Sequence, residues 1–279
     1  MKHSPFITAL KKNSRALQHH PFSCISSSSL IQLASAHNVT CFQAQLSALQ
    51  NKILPERYLR NFNALTLNDQ IRLAGSRILL VGLGGLGGYI LEILARSGVG
   101  TFVLADGDCF EESNLNRQIL GTVDTLGKSK VKAAKVRLKK INPFCRCQIH
   151  PYFLSRKDLP GLMKNIDLVV DALGGVEFRP VLLEESSRAG IPLITGFLAG
   201  TTGLVSTVYP GGKSPGVFWR GENKDGAENI LGNMAQTVSL IASVQAAETI
   251  KLLTGKDSGL AGRVFLVDFE TLTFDLLEL

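Results

Sequence analysis

The chemically equipped part of the chain is Gly82-Leu-Gly84-Gly85-Leu-Gly87, followed by Asp106, Asp108, the run Ser113-Asn-Leu-Asn-Arg117-Gln118, and Lys130. The spacing G-x-G-x-x-G lets a chain turn tightly and brings backbone N–H groups up to a phosphate at the positive end of a helix. Asp106 falls near where an adenosine ribose is grasped in such units. These features alone specify a nucleotide and leave the reaction open. A hydride-transfer site needs a dry nicotinamide pocket and has no evident use for Arg and Lys gathered above a phosphate loop. Transfer of an adenylate does. A carboxylate attacking the α-phosphorus builds negative charge on that phosphate and on the departing pyrophosphate, and pre-positioned Arg, Lys and a metal stabilise it.

The elements that must position these residues are legible as alternating strands and helices. Residues 78–81 form a short branched apolar run, typical of a buried parallel strand. Tyr89, Ile90, Ile93, Leu94 and Val99 recur at helical spacing, and a second strand over 101–105 leads into Asp106. A polar loop over 107–116 precedes a helix over 128–140. Strands follow at 148–153 and 166–170, the latter running into Asp171, then a helix over 177–189 and strands at 192–195 and 203–209. Residues 211–233 read as a long mobile loop, 235–253 as a long apolar-faced helix and 263–277 as a terminal pair of strands. This alternation predicts a doubly wound α/β sheet, mostly parallel with antiparallel C-terminal strands. Gly121-Thr-Val-Asp-Thr-Leu-Gly127-Lys-Ser129 imitates a Walker phosphate loop, but it has one residue too many between its glycines and follows no strand.

Bulk properties exclude several classes. With 45% hydrophobic and 19% charged residues, the 279-residue chain can bury an ordinary globular core. Its apolar runs are too short to span a membrane. The five cysteines form no C-x-x-C pair, which argues against a zinc site and a disulfide framework and for a reducing cytoplasmic setting. Residues 1–55 hold Lys2, Lys11, Lys12, Arg15 and Lys52 and no acid, so they supply five of the seven net positive charges. The rest is near neutral and offers no nucleic-acid face. Residues 1–54 read as an N-terminal extension: a flexible, Ser-rich tail over 1–28, with a transit peptide as the minor alternative, then two short helices over 30–51. Those helices could imitate a DNA-reading helix-turn-helix, but packing on a neighbour is the simpler expectation. Residues 55–279 form the nucleotide-binding domain.

From Arg57 onward the chain resembles the ThiF/MoeB/HesA family, bacterial relatives of ubiquitin-activating enzymes. The matching stretches are Arg57-Tyr-Leu-Arg60-Asn, the glycine loop, Leu104-Ala-Asp106-Gly-Asp108, 113–118, Lys130, Asn142-Pro143, Asp171 and the helix 244–253. The resemblance implies a Rossmann-like adenylyltransferase that uses ATP and Mg²⁺. Its substrate would be the C-terminal glycine of a small ubiquitin-like sulfur carrier ending in Gly-Gly, of the thiamine or molybdopterin kind, with release of pyrophosphate. By the same resemblance Gly82, Gly84 and Gly85 shape the ATP site and Asp106 holds the ribose. Asn114, Arg117 and Lys130 contact the phosphates, and Gln118 belongs to the same element. Arg60 reaches into a partner subunit's site, which implies a homodimer.

Three departures bear on this. The family's Asp-x-x-Asp-Asn is here Asp171-Ala-Leu-Gly174-Gly175, so the second, Mg²⁺-binding acid is replaced by Gly174. Asp108 or Asp171 then takes the metal, or the metal rides mainly on ATP. The first zinc pair of many relatives is replaced by Val217-Phe-Trp-Arg220 and the second is missing, so no zinc is expected. Residues 221–240 contain no cysteine for a thioester or persulfide link, so the product is expected to stop at the acyl-adenylate. The alternatives are a catalytically weak member that only binds nucleotide or carrier, a nicotinamide-dependent oxidoreductase, and a tRNA-adenylating relative, the last disfavoured by the near-neutral domain.

Overall fold

The central strands of the expected sheet form where an apolar run meets a turn. In the computed structural model, which describes residues 5–18, 20–216 and 227–279, the N-terminal elements come first. They are α1 (Pro5–Lys12), β1 (Arg15–Ala16), β2 (Ser23–Ile25), α2 (Ser27–Ala36), α3 (Cys41–Gln50) and β3 (Ile53–Pro55). The nucleotide-binding part follows with α4 (Leu67–Gly75), β4 (Arg77–Val81), α5 (Gly85–Ser97), β5 (Thr101–Ala105), α6 (Lys130–Ile141) and β6 (Arg146–His150). Then come α7 (Leu159–Leu162), β7 (Leu168–Asp171), α8 (Arg179–Arg188), β8 (Leu193–Ala199) and β9 (Thr202–Val208). The chain closes with α9 (Ala227–Leu231), α10 (Ala235–Leu253), β10 (Arg263–Asp268) and β11 (Thr273–Glu278).

The main sheet has eight strands in the order β11-β10-β9-β8-β7-β4-β5-β6. Strands β8, β7, β4, β5 and β6 run parallel, while β9, β10 and β11 attach antiparallel, as expected from the sequence. From β4 the chain builds outward through β5 to β6, then returns to add β7 on the other side. That reversal opens a crevice at the carboxyl ends of the strands. Period-2 alternation divides the strand residues between two cores. Ile78, Leu80, Phe102 and Leu104 pack beneath α5, α6 and α10, and Leu79, Val81 and Val103 pack with Leu159, Leu162 and Leu182 of α7 and α8.

Several boundaries differ from the sequence expectation, three of them near the cavity. The strand expected at 148–153 is β6, which starts at Arg146 and stops at His150. Pro151 has no N–H for the ladder, and the edge strand is only half-buried, so it lacks a decisive apolar run. The helix expected from residue 177 begins at Arg179, with Pro180 in its first turn, and Glu177 stays on the preceding loop. In the 211–233 segment, residues 217–226, including the Val217–Arg220 positions, lie outside the described residues, and Ala227–Leu231 are helical.

The described residues of the expected flexible tail are folded. Phe6 and Leu10 of α1 are buried with Ile25, Leu30, Ala44, Ile53 and Phe144. The serine run is a helix start: Ser26 caps α2 by accepting the N–H of Ser29 at 3.1 Å. Helix α3, opened by a Thr40–Gln43 capping box, buries Ala44, Gln45, Ala48 and Leu49. Leu49 shares a cluster with Tyr58 and Ala74, and the Arg146 guanidinium lies 3.7 Å from the centre of the Phe42 ring. The Tyr58 hydroxyl donates to Gln45 Oε1 at 2.8 Å and accepts from Asn142 Nδ2 at 2.9 Å, all three buried. The second helix of the pair is thus packed against Tyr58 and Ala74, beside the amino ends of β5 and β6.

Candidate active site

The crevice holds a cavity of about 630 Å³, lined by the glycine loop, the loops after β5, β6 and β7, and α10. Two glycines of the loop are demanded by the backbone around them. Gly82 has φ +92°, and a Cβ there would stand 2.4 Å from the Ala172 carbonyl oxygen. A Cβ on Gly87 would stand 1.9 Å from the Gly82 carbonyl oxygen, so the first turn of α5 can approach its own strand only without one. Gly84 is different. Its missing Cβ would make only ordinary contact with Gln118, so its bareness leaves room beside the cavity. Gly85 touches Val238 of α10.

Asp106 ties the loop to the second strand. Its Oδ2 accepts the Leu83 N–H at 2.6 Å and its Oδ1 accepts the Asp108 N–H at 2.7 Å. Burial pushes the Asp106 carboxyl up from its ordinary value, against the lowering effect of those N–H groups and Lys130. Lys130 opens α6, where its N–H bonds the Asp108 carbonyl at 3.0 Å and its Nζ reaches Asp108 Oδ2 at 3.1 Å. The lysine is buried and Asp108 is exposed, so the pair presents one open carboxylate face beside a fixed positive charge.

The 113–118 element is a short turn that packs two of its polar residues inward. Asn114 is buried and its Oδ1 accepts the Glu111 N–H at 3.2 Å. Gln118 is buried, and its Oε1 has no hydrogen-bond partner among the described residues. Arg117 is half-buried, with Nη1 bonded to the Ser113 carbonyl at 3.0 Å and to Asn116 Oδ1 at 2.8 Å. Gly82, Gly84, Gly85, Asp106, Asp108, Asn114, Arg117, Gln118 and Lys130 therefore meet around one cavity.

Two of the expected site residues do not line it. Arg60 is exposed outside the cavity of its own chain. Asp171, expected to face a nucleotide or metal, is sealed below the floor. Its Oδ2 accepts from Arg179 Nη1 at 2.6 Å and Thr195 Oγ1 at 2.7 Å, and its Oδ1 accepts the Leu173 N–H at 3.1 Å. With both oxygens engaged in the interior, Asp171 offers no carboxylate to a metal, which corrects that expectation.

Arg179 also bonds the carbonyls of Gly175 at 2.8 Å, Gly196 at 3.2 Å and Leu173, so one buried side chain pins the loop that carries Gly174. The sequence reading missed Arg179, because an Arg at a helix start ordinarily faces solvent and nothing local pairs it with Asp171. It also missed Tyr152, Phe153 and Glu177 on the cavity wall, all assigned to regular elements that stop short of them.

Among the described residues, no group of three or more His, Cys, Asp or Glu could cage a metal. A cation shared with phosphate oxygens needs only one or two carboxylates. Asp108, Glu111 and Glu177 on the wall provide hard oxygen donors of that kind. The decoy segment 121–129 closes on Cys109 and Phe110 through isolated bridges and does not shape the glycine loop. No helix among the described residues is long and apolar enough to cross a membrane.

A doubly wound sheet with a glycine loop, an acid just past the next strand and basic groups at its switch point defines a Rossmann-like fold. The chain belongs to the ThiF family, whose model matches residues 57–279. It is 34% identical over 227 residues to the molybdopterin-synthase adenylyltransferase of Escherichia coli K12, covering 79% of this chain and 89% of that one. The Haemophilus influenzae protein of the same name is 32% identical over 219 residues, covering 76% and 89%. The "adenylyltransferase and sulfurtransferase MOCS3" of Drosophila grimshawi is 34% identical over 218 residues, 75% of this chain and 47% of that one. The chain thus spans about half the length of its MOCS3 relatives.

Among solved structures, E. coli MccB with ATP shares the fold at a TM-score of 0.70 and 20% identity, covering 89% of this chain and 82% of that one. PaaA shares it at 0.65 and 22%, covering 90% and 81%. Coverage of that extent exceeds residues 57–279 and so reaches into the N-terminal unit.

Proposed function

We propose that the chain is an adenylyltransferase that uses ATP and Mg²⁺ to activate the C-terminal glycine of a small ubiquitin-like sulfur carrier ending in Gly-Gly, of the molybdopterin or thiamine kind. The observation that carries this is the clustering of Lys130, Arg117 and Asn114 around the glycine-loop cavity. The names of the bacterial relatives favour the molybdopterin kind.

In this reaction a carboxylate oxygen of the carrier attacks the α-phosphorus and forms a new P–O bond. The bond from that phosphorus to the bridging oxygen breaks, and pyrophosphate leaves with the electron pair. The glycine loop and the amino end of α5 hold the phosphates, and Asp106, already fixed by two N–H groups, accepts from the ribose hydroxyls. Lys130 and Arg117 stabilise the charge that builds on the α-phosphate and the leaving group, and Asn114 orients it. Asp108 holds the buried Lys130 ammonium in position through its Oδ2. Magnesium, when bound with the triphosphate, supplies further positive charge to its oxygens. Arg60, exposed on its own subunit, completes the site of a second copy in a homodimer. A cytoplasmic setting and a product that stops at the acyl-adenylate belong to the same proposal.

The test is pyrophosphate–ATP exchange with purified Gly-Gly carriers of the two kinds. Exchange that depends on a carrier and disappears in Lys130→Ala and Arg117→Ala supports the proposal. ATP binding with no exchange on any carrier reduces the protein to a binding module, and NADH binding without ATP binding revives the oxidoreductase.

A further inference from the structure

The cavity wall carries four carboxylates, Asp106, Asp108, Glu111 and Glu177. Both Asp106 oxygens take backbone N–H groups, and one Asp108 oxygen is bonded to Lys130. Glu177 is exposed, and its Oε2 accepts the adjacent Val176 N–H at 3.2 Å. That oxygen lies 2.8 Å from where a Cβ on Gly175 would stand. The carboxylate is therefore folded back over the loop at Gly175, the residue after position 174.

The loop itself is held. Arg179 bonds the carbonyls of Leu173 and Gly175, on either side of Gly174, so Glu177 projects from a fixed base. The same cavity also contains an acceptor in need of a donor, the buried Oε1 of Gln118. A water held by a cation, or a sugar hydroxyl, is the kind of donor that satisfies such a group.

We propose that Glu177 supplies the protein carboxylate that faces the divalent cation carried by the nucleotide phosphates, in place of the acid that position 174 lacks. The inference rests on the nucleotide-site reading above, but not on the chemistry that follows binding. A hard cation bound chiefly by phosphate oxygens and water needs one or two carboxylates. Glu177 reaches that position from three residues further along the chain, where Asp171 cannot.

The experiment measures Mn²⁺ binding by electron paramagnetic resonance to the full chain saturated with the non-hydrolysable analogue AMPCPP. Glu177→Gln is expected to weaken Mn²⁺ roughly tenfold or more. The thermal melt should match the wild type, since Glu177 is exposed, and metal-free AMPCPP should bind no more weakly. Adding Gly174→Asp to Glu177→Gln should recover Mn²⁺ affinity. Unchanged Mn²⁺ affinity in Glu177→Gln overturns the proposal, and so does a wild-type complex with no Mn²⁺ site. A protein that binds Mn²⁺ through Glu177 but shows no pyrophosphate exchange keeps this inference and loses the adenylation reading.

Discussion

Arg179 Nη1 stands 2.6 Å from Asp171 Oδ2 with both side chains 2% exposed, beneath the loop that forms the cavity floor. A buried pair of this kind costs stability when one partner is removed, because the other charge is left unpaired in the interior. Arg179→Met is therefore expected to lower stability by about 3–5 kcal/mol, read by denaturant unfolding. Asp171→Asn/Arg179→Met should cost clearly less than the sum of the two single changes. Additive costs would show that the pair is not coupled.

Gly82 and Gly87 are required by backbone contacts, whereas the space at Gly84 opens beside the cavity. Gly87→Ala should cost about 3 kcal/mol or more, or prevent soluble expression. Gly84→Ala should melt near the wild type and weaken ATP binding instead. A Gly87→Ala protein as stable as the wild type would contradict the close strand–helix approach described here.

Thiol reactivity should follow burial. Burial pushes the Cys145 thiol up to about 12 and that of Cys147 up to about 11, so both hold very little thiolate at pH 8 and gain it only as the pH rises toward those values. Cys24 is also raised by burial. Iodoacetamide at pH 8 should label Cys109, exposed on the cavity wall, well before these three, and ATP should slow that labelling. Mass spectrometry of the alkylated peptides decides it. Labelling of Cys109 that ignores saturating ATP would separate the nucleotide from this cavity.

The N-terminal elements share their cores with later parts of the chain through Tyr58, Ala74 and Phe144. Deleting residues 1–54 would bare these groups and strip Gln45 from the Tyr58 hydroxyl. The truncated chain is expected to aggregate or to melt well below the full chain, measured by scanning calorimetry and light scattering. A monodisperse truncated protein with the full-chain melting temperature would make the unit a loosely attached appendage.

If Arg60 completes a second copy's site, two inactive variants should complement. Mixing and reassociating Arg60→Ala with Lys130→Ala gives mixed dimers with one intact site, and statistical assortment predicts recovery of about a quarter of wild-type exchange. No recovery in confirmed mixed dimers would remove Arg60 from the neighbouring site.

The sequence carried the sheet and the glycine loop because both are local patterns: branched apolar runs, glycine spacing and an acid at a strand end. It also brought forward Lys130 and the 113–118 element, whose residues gather at the cavity. What it misjudged depends on pairing across the chain. Asp171 looked like a ligand because its partner Arg179 lies beyond a glycine-rich loop with no periodicity linking the two. Ser26 to Ser29 looked like a tail because a serine run resembles flexible linker composition, although one of its hydroxyls caps a helix. Phe153 and Glu177 were drawn into a strand and a helix that Pro151 and Pro180 bound more tightly.

In the proposed reaction a carrier carboxylate attacks the α-phosphorus. A Gly-Gly carrier labelled with ¹⁸O in its C-terminal carboxylate, incubated with ATP and trapped with hydroxylamine once activated, reports that bond. One ¹⁸O should appear in the released AMP, with unlabelled pyrophosphate. Label in inorganic phosphate, or AMP without label, would contradict it.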